Sequence, residues 1–344
     1  MRRCLLVFSS LLFAYNLFAQ SADHRLIPYR IGNLWGYSDV NGNIVIPTRY
    51  LEAYLFYLGV AAVKQDNRMA MINNDGKLLI PFRYDYISNF NEGVAICSRS
   101  GKWSVIDIKG KELTKKTYEE ILPFSDGMAM VRLESRWGFI NRKGDEAIAP
   151  QFEKAYPFSE GIAVVSDKYL SGFIDIKGNV SIPLQYKAAT SFHDGLAMVM
   201  KDSAWGFIDQ EGRVKVGFIY RSANHFSEEL AAVKKNDSVG FINISGEAAI
   251  PFRYENANNF NEGFSLVKRA GKVGYVDITG KEIIPPQFDA GNDFSEGVAL
   301  ITLSGILGMV SSDAVVTMLP QYALIKDFSD GLAGVQRDGR WGYI

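Results

Sequence analysis

The chain has 344 residues, of which 47% are hydrophobic, 13% aromatic and 22% charged, with a formal net charge of −1. That much apolar material excludes intrinsic disorder for the bulk of it. The interspersed, nearly balanced charges lack the basic footprint of a nucleic-acid binder and offer no polybasic run to a lipid surface.

Residues 1–19 read as a signal peptide. Arg2 and Arg3 make a positive start, Leu5 to Phe18 an apolar stretch, and Ala19 a small residue for cleavage. The stretch is shorter than the roughly 20 residues that span a bilayer, which disfavours an uncleaved anchor. The mature chain is therefore expected to be secreted, periplasmic or on the bacterial cell surface, with no membrane insertion after cleavage. Cys4 precedes the apolar stretch, the wrong side for lipid attachment. Cleavage leaves Cys97 alone, without an internal disulfide partner. Its place in VAIC is taken by Val131 and Val165 further on, so it reads as a small buried hydrophobe.

Residues 20–344 form a single array of nine to ten units. PFSDGMAMV at 123–131 returns as PFSEGIAVV at 157–165, and its Phe recurs every 34 residues from Phe56 to Phe328. The Gly three positions on recurs with it, and Glu229 alone breaks that column. Trp35-Gly36 starts another column, and Tyr50 starts one that holds Tyr or Phe to Tyr322. Such a register is the mark of a repeat architecture. A period of 34 also suits a helical repeat. Fixed Gly and Pro positions and short Val, Ile, Phe and Tyr runs argue for strands instead.

Residues 127–152 show the expected unit. MAMVRL is a first strand, a polar turn spans Glu134 to Arg136, WGFIN is a second strand, and EAIAP leads a third towards Phe152. About three strands per unit follow. GIAVV and GLAMV are apolar without alternation, so the first strand is buried on both faces. Its centre stays small, from Ala95 to Ala333 with Ser265 as a near miss, which predicts close approach by a neighbour, as does the Gly after Trp. Between the second and third strands, an Asx (Asp39, Asn73, Asp107 and onward) precedes Gly42, Gly76, Gly110 and their successors by three. That is a type I turn with a Gly bulge. Ser311 and Ala314 replace both residues in a late copy, so a looser turn is expected there.

The Phe column reads as core. One buried ring covers about 150–250 Å² at roughly 25 cal/mol per Å², which a short unit needs. Trp35, Trp103, Trp137, Trp205 and Trp341 are the candidate ligand-binding side chains, as platforms for a sugar. Their replacement by Met69, Ser171, Val239, Val273 and Leu307 in the other copies favours packing. The acid before Gly, from Glu92 through Asp126 and Glu160 to Asp330, reads as a side chain bonding turn N–H groups. A row of carboxylates for cations is the other reading.

No catalytic, metal or cofactor site emerges. His193 and His225 occupy non-equivalent positions without ligand spacing and read, like His24, as lone surface or loop residues. There is no nucleophile elbow, phosphate-binding loop or dinucleotide fingerprint. Asp39 to Asn43 resembles the start of a calcium loop but lacks its bidentate Glu.

WGFINRKG, the IPxxY-like stretches and the FSEGLAxV-like starts together resemble the bacterial WG-repeat family, also called KWG repeats. The resemblance spans essentially the whole mature chain and departs where Trp is lost, in five copies of ten. It implies a β-repeat architecture without a common enzymatic activity. The expected fold is all-β, tandem 34-residue units stacked as an open solenoid or superhelix; a β-propeller is the alternative. The expected role is a non-catalytic scaffold that binds a protein or polysaccharide partner in the bacterial envelope or exterior. An envelope hydrolase-like enzyme and a structural assembly subunit are the alternatives.

Overall fold

The computed structural model describes residues 26–328 and 331–344. The expected signal peptide, His24 and Asp330 lie outside them. Every regular element among the described residues is a β-strand, and all pairing is antiparallel within sheets of three or four strands. The chain falls into two compact units, one ending at Gln151 and one beginning at Phe152. The fold is all-β and built from tandem repeats.

One sheet of the second unit shows the plan. Its strands follow in chain order: Lys154–Ala155, Ile162–Asp167, Leu170–Asp175 and Val180–Tyr186. Three long strands are the ones read from the sequence. The fourth, a rim strand of two residues, was not foreseen, because two residues carry no period. Its shortness is what lets a 34-residue repeat supply a four-stranded sheet. Ala163, Val164 and Val165 of the first long strand are buried, as are Phe173 and Ile174 of the second. The third alternates, with Ile182 and Tyr186 buried between exposed or half-buried neighbours. Sheet faces therefore grow wetter from the first long strand to the third.

In most copies the second and third long strands approach so closely that a Cβ between them would meet backbone. A Cβ on Gly172 would lie 2.6 Å from the Ile182 carbonyl oxygen, and one on Gly138 2.5 Å from that of Ile148. Register shifts on both sides of Phe173 produce this approach, since a bulge bends one strand over the other. Ala70 holds the position in one copy with its ladder intact. Where Ser104 holds it, the third strand shrinks to isolated bridges, Trp103 to Tyr118 and Ile106 to Glu112.

The Asx–Gly turns form as expected. Asp175 N–H donates to the Asn179 carbonyl at 3.0 Å, and Gly178 N–H to the Asp175 carbonyl at 2.9 Å. The Asp175 carboxylate accepts the N–H groups of Lys177 and Asn179 at 2.8 and 2.9 Å. Gly178 has φ +83°, open to residues without Cβ. The late copy keeps the backbone of the turn. Ser311 N–H still reaches the Val315 carbonyl at 3.0 Å, and Ala314 N–H the Ser311 carbonyl at 2.8 Å. Its side-chain support is weaker, since Ser311 Oγ accepts Val315 N–H at 3.3 Å, and Ala314 sits at φ +63°.

The recurring Phe is core. Phe158, Phe192, Phe226, Phe260 and Phe294 are at most 1% exposed. Each of the last four meets a second-strand ring edge-on or tilted: Phe192 on Phe173 at 5.1 Å, Phe226 on Phe207 at 4.8 Å, Phe260 on Phe241 at 4.9 Å and Phe294 on Tyr275 at 5.2 Å. Such pairs add to plain area burial. Most of the Tyr column, from Tyr50 to Phe288, is buried too, and some hydroxyls reach carboxylates of the following repeat: Tyr84 donates to Glu112 at 2.9 Å and Tyr254 to Glu282 at 3.1 Å.

The acid and Gly of the recurring phrase form a two-residue hairpin loop. Glu160 has φ +55° and Gly161 +78°, and Ser159 and Ile162 exchange both backbone bonds. Positive φ at both positions is a type I′ turn, whose twist matches the strands it joins. Glu229 sits in the Gly position at φ +64°. A left-handed conformation costs an ordinary residue about 1–2 kcal/mol. Glu229→Gly is expected to stabilise the chain by about 1 kcal/mol, seen as a higher urea midpoint at unchanged slope. An unchanged or lower midpoint would contradict this.

Candidate functional site

Each of the five tryptophans belongs to a different sheet. Trp35, Trp103, Trp137 and Trp205 are half-buried. Trp35 and Trp205 stand opposite Tyr50 and Tyr220 on the third strand. The Arg30 guanidinium lies 5.7 Å over Trp35, that of Arg132 5.5 Å over Trp137, and Tyr86 meets Trp103 edge-on at 5.6 Å. Each of these three indoles thus has a partner within its own sheet. Trp341 lies on the strand Arg340–Tyr343, paired with Gln336.

The acid column does bond turn amides, but those of the next repeat. Glu160 accepts Gly195 N–H at 3.1 Å, Glu228 accepts Gly263 N–H at 3.0 Å, and Glu262 accepts Glu296 and Gly297 N–H at 2.8 and 2.7 Å. Asp194 accepts Glu229 N–H at 3.2 Å, and Glu296 accepts Gly331 N–H at 2.8 Å. The reason is geometric. A type I′ loop satisfies the groups that flank it and leaves its two central N–H groups pointing outward, needing partners. The carboxylate one repeat earlier supplies them.

The histidines are not lone residues. His193 and His225 stack at 4.2 Å with 28° between ring planes, and the Asn259 side-chain amide lies 2.7 Å from His225 Nε2. Residue 225 is one position ahead of its Phe and 193 one behind, so spacing in sequence hid a pair that neighbouring repeats bring together. Burial, and then the nearby His193, push the His225 pKa below the usual imidazole value, while Asp194 opposes this weakly. Cys97 is buried beside the Ser104 hydroxyl at 3.1 Å, and burial pushes its thiol up to about 11. That makes it a packing residue rather than a nucleophile. Among the described residues no group of three or more His, Cys, Asp or Glu is placed to hold a metal ion.

A pocket that was not foreseen opens beside Ser171. It has a volume of 280 Å³ and is lined by Tyr156, Tyr169, Ser166 and Ser171, with Lys154, Lys187 and Glu153 at its edges. Two signals in the sequence could have found it. Ser171 is the one hydroxyl-bearing residue in the Trp column, and Tyr169 stands where Gly101, Gly271 and Gly305 stand in other copies.

His225 gives a pH-dependent prediction. Its folded pKa is depressed, so the unfolded chain binds the proton more readily as pH falls. The contribution of neutral His225 is present above the ordinary imidazole pKa and declines as pH drops through that value towards the folded one. Melting temperature is therefore expected to fall from pH 7.5 to 5, with a shallower fall in His225→Gln. Identical slopes for the two proteins would contradict it.

A family model described as WG containing repeat matches residues 35–68, 70–103, 103–137, 137–169, 172–203, 205–237, 240–272, 274–305 and 319–341. No curated protein matches the chain in sequence. Among solved structures, a eukaryotic initiation factor aligns at 10% identity and TM-score 0.49, over 83% of this chain and 96% of its own. Hsv2p of Kluyveromyces lactis aligns at 8% identity and TM-score 0.40, over 67% and 94%. PorZ of Porphyromonas gingivalis, titled a surface component of the type-IX secretion system, aligns at 8% identity and TM-score 0.28, over 93% and 58%. The nine segments, in register with the 34-residue sheets, cover most of the sequence, and the chain belongs to the WG containing repeat family.

Proposed function

We propose that the protein is a non-catalytic binding scaffold of the bacterial envelope or exterior, which engages a protein or a glycan. One observation carries the reading. The residues repeated in most copies are spent on the fold: Phe in the core, Gly under the third strand, Asx in its own turn, and, from Glu160 to Glu296, the acid on the next repeat's amides. What differs between copies is what solvent meets, such as Tyr169 at one hairpin tip and the exposed Ile176 and Ile244 at the Asx–Gly turns. Regular repeats carrying variable surfaces serve extended recognition. In sequence no unit departs from the pattern with an acid, a base and a nucleophile together, which supports a role without turnover. The apolar N-terminal stretch with Arg2, Arg3 and Ala19 supports export.

The immobilised mature chain, incubated with bacterial envelope extract, is expected to retain a defined partner that a glycan competitor either displaces or leaves bound, which separates the glycan from the protein case. Retention no better than on an unrelated β-repeat protein would count against the proposal. Turnover lost on replacement of a single carboxylate would overturn the non-enzymatic reading.

A further inference from the structure

Ser171 occupies the position of an indole. It stands opposite Ser166 and Tyr186, as Trp205 stands opposite Met200 and Tyr220. In the copy two repeats earlier, Trp103 packs against Tyr86, whose counterpart here is Lys154. Replacing Trp by Ser therefore leaves the volume of an indole unfilled between the rim strand and the second long strand, and the 280 Å³ pocket lies there. Met69, Val239 and Val273, at the same position elsewhere, are buried apolar fillers. Ser171 puts a hydroxyl at the floor instead, 2.8 Å from the Ser166 hydroxyl.

A second, independent observation concerns the mouth. Tyr169 is 94% exposed and held at φ +73°, in a column where Gly is common. A bulky side chain in the left-handed region is strained, and such strain concentrates at functional positions. Tyr156 on the far side is also exposed. The Glu153 carboxylate accepts Lys168 N–H at 3.2 Å, which ties the base of the rim to the hairpin that carries Tyr169.

We propose that this pocket binds a single acidic monosaccharide of the uronic-acid type. Its volume lies just under the roughly 300–1,000 Å³ of drug-sized sites and suits one ring. Tyrosine faces suit the C–H face of a sugar, and the serine pair suits its hydroxyls. An aromatic acid would offer those hydroxyls no partner beyond each other, leaving one O–H without an acceptor, at a cost. Lys154 and Lys187 bring two cations to the edges against the one carboxylate of Glu153, so the ligand that fits carries a negative charge. The inference rests on the reading of the array as a binding scaffold and narrows it to one site. Sugar binding is read on the purified chain and partner capture on extracts, so either can fail alone.

The test is ligand-observed NMR and calorimetry on the purified chain with glucuronate, galacturonate and glucose. Millimolar binding of a uronate is expected, on the order of tenfold tighter than glucose and weakened by salt. Ser171→Trp restores the common residue of the column and is expected to abolish uronate binding while the melting temperature holds or rises. Tyr169→Gly is expected to raise the melting temperature and weaken binding at once, a combination that a purely structural Tyr169 would not give. Absence of uronate binding would overturn the proposal, as would undiminished binding in a folded Ser171→Trp. Equal binding of glucose would overturn the acidic ligand. Should Ser171→Trp not fold, undiminished binding in both Tyr169→Gly and Lys187→Ala would overturn the proposal.

Discussion

A backbone with no side chain beneath it organises most of the repeats. There the second long strand carries the third across the Gly after the Trp position, with a carbonyl oxygen 2.4–2.6 Å from where a Cβ would sit at Gly274, Gly36 and Gly172. The bulge that brings the strands together accompanies a third strand whose Ile and Tyr are buried. Those residues form the apolar floor onto which the next repeat packs: Ile182, Tyr186 and Phe192 share a cluster with Ala197 and Ile208. The copy with Ser104 has a third strand reduced to bridges, whereas the copy with Ala70, the smallest side chain, keeps its ladder.

Where this contact holds, the remaining interactions divide by direction. Rings and aliphatic side chains fill the sheet-to-sheet space, where burial rather than bonding dominates. Polar groups run along the repeats. Tyr hydroxyls reach the next copy's Glu, and Arg253 reaches the Gly280 carbonyl at 3.1 Å. None of these surface pairs is individually strong. Their effect is positional, because each fixes the offset at which one copy meets its neighbour.

Much of this was legible in the sequence, for a specific reason. Nine or more copies act as an internal comparison, so a residue that must be Gly, Phe or Asx repeats itself. The three long strands, the Asx–Gly turns and the buried Phe column follow from that repetition. Features made between copies were less legible. The acids before Gly looked like partners of their own turn, because a sequence does not state which N–H groups a type I′ loop leaves outward. His193 and His225 looked solitary because they meet across an offset that is not the period. The rim strand is too short to have a pattern. Ser171 was visible as one exception among several in the Trp column; its difference lies in polarity and in the space it leaves, and space has no letter in the sequence.

The carboxylate-to-amide bonds make each link in the second unit nearly a copy of the others, and an array of equal links resists opening at any particular place. The links are not all equal. Glu160, Glu228, Glu262 and Glu296 each reach a glycine N–H, whereas the shorter Asp194 reaches the N–H of Glu229, a residue already held against its conformational preference. The junction between those two copies, which also contains the stacked histidines, is the seam of that unit expected to open first. Fraying, proteolytic entry and acid-induced opening all have a natural starting point there, so the chain carries its own order of disassembly.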